Sequence, residues 1–243
     1  MNCLVCVSHV PDTNTKIQFE GKELNKNGVS FVPGPHDEYA LSRAIEFKEK
    51  GQSGKTTVLC VGLQEVEGTL RRCLAVGADD GVRINAVAGD AYFVAFQIAE
   101  FVKSGGYELI MFGKETINFN GGMVAGMVAE LLDLPCVNFV SKLEVNGNLA
   151  TVKREIDGGT EVLECAIPLV VSCMKGISEW RIANLRGITM AKTKPIAVVQ
   201  PVAVEGFTSS ESFELPAAKQ GCKMIEMSNL QELVSVLSNK GAL

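Results

Sequence analysis

Cys3 and Cys6 form a CxxC near the start of the chain, the spacing used by redox and metal-binding pairs. Redox pairs sit at a helix N-terminus, where the dipole lowers the thiol pKa. Here the pair lies in NCLVCVSHV, which reads as a strand, so the side chains are expected on opposite faces and structural in role. The remaining cysteines of the eight lie mostly in apolar runs such as VLCVG and LVVSCM, as suits small, reduced, buried side chains. His9 and His36, the two histidines, have no partners at metal-ligand spacing. SGKT at 53–56 resembles the end of a P-loop, but the required first glycine falls on Glu49 and the motif precedes its strand. No GxGxxG follows the first strand either. What remains is FGKETINFNGGMVAGMV (112–128), a polar, glycine-bearing loop between an apolar run and a helical one. Glycines let a ligand approach the backbone, and free amides at a helix start favour an anion. Asn118 and Asn120 add side-chain amides, so a phosphate or pyrophosphate suits Gly121, Gly122 and Met123; an ordinary glycine turn is the competing reading.

The elements that must carry this loop alternate along the chain. CLVCVSHV, TTVLCVG, GVRI and ELIMFG read as strands. DEYALSRAIEFKEK, QEVEGTLRRCLAVG, DAYFVAFQIAEFVKSGG and GGMVAGMVAELL read as helices, with Asp90 a candidate N-cap and Gly77 a candidate C-cap. Continuous apolar strands alternating with helices predict a Rossmann-like α/β fold, a parallel sheet covered by helices on both faces. In such sheets ligands bind beyond the carboxyl ends of strands, near the point where strand order reverses. Three loops leave those ends: SHVPDT, VGLQ and GKETINFNGG. From residue 141 to 174, Asn-Gly and Gly-Gly turns between β-type runs predict antiparallel hairpins. KGISEWRIANLRGITMAKTKP (175–195) shows little regular periodicity. A tail follows from about residue 200, ending in a short helix that Ser228 is placed to cap. A loose tail of this length is expected to lie on a partner. The chain therefore divides into an α/β domain over 1–199, hairpins included, and a C-terminal arm over 200–243.

Composition narrows the function. The net charge of −5 and the lack of a Lys/Arg cluster, beyond a mild basic stretch from Lys175 to Lys194, argue against nucleic acid. The N-terminus enters a strand with no leader pattern, and no apolar run reaches membrane-spanning length; a cytoplasmic protein without membrane insertion is expected.

VSHVPDT, GPHDEYALSRAIEFKE, CLAVGADDGV, GKETINFNGG, VKREIDGGTEVLE and RIANLRGITMAKTKPI occur in this order. Together they resemble the β subunit of electron-transfer flavoprotein, through nearly the whole chain and including the final NLQELVSVLSNKG helix. The resemblance implies an adenine-nucleotide α-hydrolase-like α/β domain paired with an α subunit. The heterodimer would carry electrons from flavoprotein dehydrogenases, such as acyl-CoA dehydrogenases, to a quinone-linked oxidoreductase or another acceptor. It implies an FAD shared with the α subunit, and in the β subunit's own pocket AMP, or a second FAD in electron-bifurcating members. The implied pocket uses Cys6, Gly34, Pro35, His36, Asp37, Val61 and the loop from Gly113 through Asn118, Asn120, Gly121, Gly122, Met123 and Val124. His36 falls near the FAD ring where relatives carry an aromatic, and many relatives have aspartates where Asn118 and Asn120 stand. Arg181, Ile182, Ala183, Asn184, Leu185, Arg186, Gly187 and Ile188 match a recognition loop whose leucine, here Leu185, inserts into dehydrogenase partners. Such a subunit is a carrier with no acid, base or nucleophile of its own. A stand-alone ATP- or AMP-binding domain and an adenosine-nucleotide hydrolase are the alternatives. The first is opposed by the long tail and the second by the lack of an SGGxD-like loop.

Overall fold

A computed structural model describes every residue except Lys22, Gln220 and Leu243. The chain opens with β1 (Asn2–Cys6), then forms two short ribbons, β2 (His9–Pro11) with β5 (Phe31–Pro33) and β3 (Phe19–Glu20) with β4 (Glu23–Leu24). Next come α1 (Pro35–Glu49), β6 (Lys55–Val61), α2 (Glu67–Val76), β7 (Asp80–Ile84), α3 (Ala91–Lys103), β8 (Leu109–Gly113) and α4 (Val124–Leu132). The second half holds β9 (Cys136–Asn146), β10 (Leu149–Ile156), β11 (Gly159–Ala166), β12 (Leu169–Cys173), α5 (Leu185–Ala191), β13 (Ile196–Val199) and α6 (Leu230–Asn239).

One nine-stranded sheet runs β11-β10-β9-β12-β8-β1-β6-β7-β13. From β9 to β13 every pairing is parallel; only the β9–β10 and β10–β11 pairings are antiparallel. The apolar strands divide their side chains between two layers, which explains their unbroken hydrophobicity. Cys3 and Val5 face a layer with Leu41, Phe47 and Leu70, whereas Leu4 and Cys6 face one with Ile98, Ala125 and Val128. The CxxC thiols therefore point to opposite faces as expected. Burial pushes Cys3 up to about 11 and Cys6 well above the ordinary thiol value.

Asp90 caps α3 by accepting from the Phe93 amide at 2.8 Å, and Gly77 ends α2 at φ 152°. Three expectations need correction. LVVSC does not belong to the hairpins: β12 lies inside the sheet, parallel to both β8 and β9. Its continuous burial marks an interior strand, and β9 joins the two regimes, pairing with β12 through its first half and β10 through its second. The segment after β12 is not irregular throughout, because residues 185–191 form α5. Its seven residues are too few to display a period. Ser228 does not cap the last helix; it sits in a 3-10 turn, Met227–Asn229, and Asn229 precedes α6 with no side-chain cap.

The arm begins on its own domain. Gln97, buried on α3, donates from Nε2 to the Val202 carbonyl at 2.7 Å and accepts from its amide at 2.8 Å. Asp90 Oδ2 accepts from the amides of Phe207 and Thr208 at 2.6 and 2.8 Å, and Phe213 stacks on Phe19.

Candidate functional site

The chain builds β1, β6 and β7 outward on one side, then crosses to place β8 on the other side of β1. Strand order thus reverses between β1 and β8, and the loops leaving their carboxyl ends open side by side. Asp37 fastens this point. It stands in the first turn of α1, and its buried carboxylate accepts from the Ser8 amide at 2.8 Å, the Ser8 hydroxyl at 2.6 Å and the Gly113 amide at 2.9 Å. Gly34 and Gly113 make room for it: a Cβ on either would lie within 2.5 Å of a carboxylate oxygen of Asp37. Burial is the largest influence on this carboxyl and pushes it up to about 6, against the lowering effect of its hydrogen bonds. Asp37 therefore shapes the site by holding two loop roots together. Ser8, its main donor, was not legible as a site residue, since nothing in SHVPDT shows which side chain turns inward.

The loop after β8 is stapled at its neck. Lys114 N–H donates to Cys173 O at 2.8 Å, extending the β8–β12 ladder, and Thr116 N–H donates to Gly121 O at 2.8 Å. Between them, Asn118 Oδ1 accepts from the Phe119 amide, and Asn120 takes the left-handed conformation at φ 50°. Asparagine tolerates that conformation better than most residues, which gives Asn120 a backbone reason for its identity. Gly122 passes so close to the strand end that a Cβ there would lie 2.8 Å from the Lys114 carbonyl. Met123, half or more exposed, then precedes α4 with no side-chain cap, so the first amides of the helix keep free donors.

His36 faces this loop. Its Nε2 lies 3.6 Å from Glu115 Oε1, while its Nδ1 is buried with no hydrogen-bond partner among the described residues. Burial holds the imidazole below its ordinary value, Lys114 adds to that, and Glu115 opposes it. The ring thus keeps one buried nitrogen unsatisfied, and the Lys114 ammonium beside the same Glu115 lies 3.3 Å from its carboxylate. An uncapped helix start, glycines without room for a Cβ and an orphaned polar atom fit a nucleotide bearing phosphate.

The structure brings Gly34, Pro35, His36, Asp37, Gly113, Asn118, Asn120, Gly121, Gly122, Met123 and Val124 to this one edge, with Val61 at the end of neighbouring β6. Cys6 ends β1 here too, but its side chain is buried in the apolar layer, so it forms wall only. Among the described residues no group of three or more His, Cys, Asp and Glu is placed to hold a metal ion.

The segment 181–188 lies elsewhere, against α2. Leu185 heads α5 and is 85% exposed; Ile182 beside it is 76% exposed. Asn184 Oδ1 caps the helix by accepting from the Gly187 amide at 2.8 Å. Arg181 is not free: it makes two 2.7 Å bonds to Glu49, while Trp180 Nε1 donates to Glu38 at 2.8 Å. The segment is thereby tied along α1 and lines a groove of about 480 Å³ with Arg72, Ile188 and Lys192.

Residues 24–204 match the family described as Electron transfer flavoprotein domain, well over half of the chain. The chain belongs to the electron transfer flavoprotein family. Within that family it is 33% identical to the Electron transfer flavoprotein subunit beta of Bacillus subtilis, covering 99% of this chain and 98% of that one. It is 34% identical to the subunit of the same name from Syntrophomonas wolfei, covering 93% and 90%. A third relative is the Caffeyl-CoA reductase-Etf complex subunit CarD of Acetobacterium woodii, 28% identical over 99% of this chain and 97% of that one. The role of the chain is that of an electron transfer flavoprotein β subunit.

Proposed function

We propose that this chain pairs with an electron-transfer flavoprotein α subunit and that the heterodimer accepts electrons from flavoprotein dehydrogenases, such as acyl-CoA dehydrogenases. It passes them to a quinone-linked oxidoreductase or another acceptor. One FAD is shared with the α subunit, and an adenine nucleotide, AMP or a second FAD, occupies the edge between β1 and β8. The single observation that carries the nucleotide reading is the joined loop pair: Asp37 fixes Ser8 to Gly113, and the uncapped start of α4 opens beside them. In that site the amides of Gly122, Met123 and Val124 bind phosphate, Lys114 supplies a cation, and the His36 ring forms part of the wall. A bound flavin supplies the one- and two-electron chemistry; the residues of this chain hold, orient and shield.

The recognition segment at Arg181–Ile188 docks the dehydrogenase through Leu185, an apolar anchor within a basic surround. The arm beyond Phe213 lies on the α subunit. The complex works in the cytoplasm, and among the described residues no helix is long and apolar enough to cross a membrane. A second reading, kept beside the first on the 28% identity to CarD, has the β-subunit pocket take FAD and the complex bifurcate electrons.

The test is reduction of the assembled heterodimer. With a purified acyl-CoA dehydrogenase and its acyl-CoA, the flavin absorbance should bleach at a rate that saturates with heterodimer concentration. A flavin-replete heterodimer that stays oxidised with acyl-CoA dehydrogenases, and equally with other flavoprotein dehydrogenases, contradicts the carrier reading.

A further inference from the structure

A helix of seven residues has no stability of its own, because isolated helices are marginal below about 12–15 residues. α5 is such a helix, and it carries Leu185, the most exposed of the large apolar residues in its segment. Its stability comes from α2. At Gly187 the backbones approach so closely that a Cβ would lie 2.2 Å from the Ala75 carbonyl oxygen, a backbone atom that cannot swing aside. Arg71 of α2 donates from Nη1 to Ala191 O at 2.5 Å and to Lys194 O at 2.6 Å, where α5 ends. Lys194, in return, donates from Nζ to Leu74 O at 2.9 Å and to Ala78 O, where α2 ends. Each helix thus has its terminal carbonyls closed by a cation from the other's side of the seam, an arrangement that also suits both helix dipoles.

We propose that Gly187, Arg71 and Lys194 are positioning residues for docking: their seam keeps α5 folded before contact and aims Leu185 at the flavoprotein dehydrogenase. This rests on the docking reading of the segment given above. None of the three is itself an apolar anchor; they act through the helix. A preformed anchor loses less conformational freedom on association, and apparent affinity falls in proportion to the fraction of molecules that hold the binding-competent form. Loosening the seam therefore raises the apparent KM for the heterodimer with kcat little changed, and leaves the distant nucleotide edge intact.

The experiment uses the complete flavin-loaded heterodimer as electron acceptor for a purified acyl-CoA dehydrogenase, at a temperature well below melting. Leu185→Ala, Gly187→Ala, Lys194→Met, Arg71→Met and Arg71→Lys are compared, with flavin content measured in each. The expected result is a rise of about tenfold in KM, equivalent to about 1.4 kcal/mol, for Leu185→Ala and Gly187→Ala. A smaller rise is expected for Arg71→Met and Lys194→Met, and partial recovery in Arg71→Lys, with flavin content constant throughout. If Leu185→Ala raises KM while the seam variants do not, the positioning role is overturned and the docking reading stands. If Leu185→Ala leaves KM unchanged, the docking reading fails and the seam proposal with it. Should Gly187→Ala fail to assemble, Lys194→Met and the Arg71 pair decide the matter alone, since each keeps the backbone contact.

Discussion

Asp37 is the residue on which the proposed nucleotide edge turns, and its ionisation is readable. Its folded value, about 6, lies above the ordinary 3.8 because burial outweighs the donors that face it. For a carboxyl raised in this way, the stabilising contribution is fully present below about pH 4 and is lost as pH rises through about 6. Wild type should therefore lose stability relative to Asp37→Asn across that interval, measured as urea midpoints; parallel curves would contradict the assignment. Gly122 is the second residue with a sharp expectation. Gly122→Val places a branched side chain against the Lys114 carbonyl, which a Cβ would already meet at 2.8 Å. The heterodimer should then release its β-subunit nucleotide on gel filtration while keeping the shared flavin. Retention equal to wild type would remove this loop from the site. The sequence exposed the loop through its glycines and its place after a buried strand. It did not show that Asn120 is required by backbone conformation or that the Asp37 carboxylate turns inward. Both depend on neighbours 29 and 76 positions away or on a dihedral angle, which no local pattern records.

At the scale of elements, the α/β alternation was legible because short continuous apolar runs in the first half alternate with segments of helical period. The alternation misled where burial replaced periodicity. β12, buried at all five positions, looks from its composition like any apolar β-run, and only pairing with β8 and β9 reveals it as interior. α5 is too short to show a period, and its existence depends on the contact of Gly187 with α2. The arm has a similar hidden dependence on Gln97, whose side chain satisfies both backbone groups of Val202. Gln97→Ala removes two hydrogen bonds from the half-exposed Val202, each worth about 0.5–1.5 kcal/mol. In that variant, limited proteolysis should open a new site within residues 200–208. A digestion pattern identical to wild type would show that the arm is held by other contacts.

Across the whole molecule, the two proposed surfaces share one scaffold. α1 supplies His36 and Asp37 to the nucleotide edge, and through Glu38, Glu46 and Glu49 it holds Trp180, Ser178 and Arg181 ahead of the docking helix. One helix packed on the sheet thus ties the proposed nucleotide edge and the exposed anchor to the same scaffold. Family membership was legible in the ordered set of segments, while the nucleotide in the β-subunit pocket was not. A loop proposed to grip phosphate would serve AMP and FAD alike. The most direct measurement is therefore co-expression with the α subunit, followed by denaturation of the purified heterodimer and quantification of the released nucleotides. One FAD together with one further adenine nucleotide per heterodimer, AMP or a second FAD, is the predicted result. A well-folded heterodimer that releases one FAD and nothing else would contradict the nucleotide site between β1 and β8.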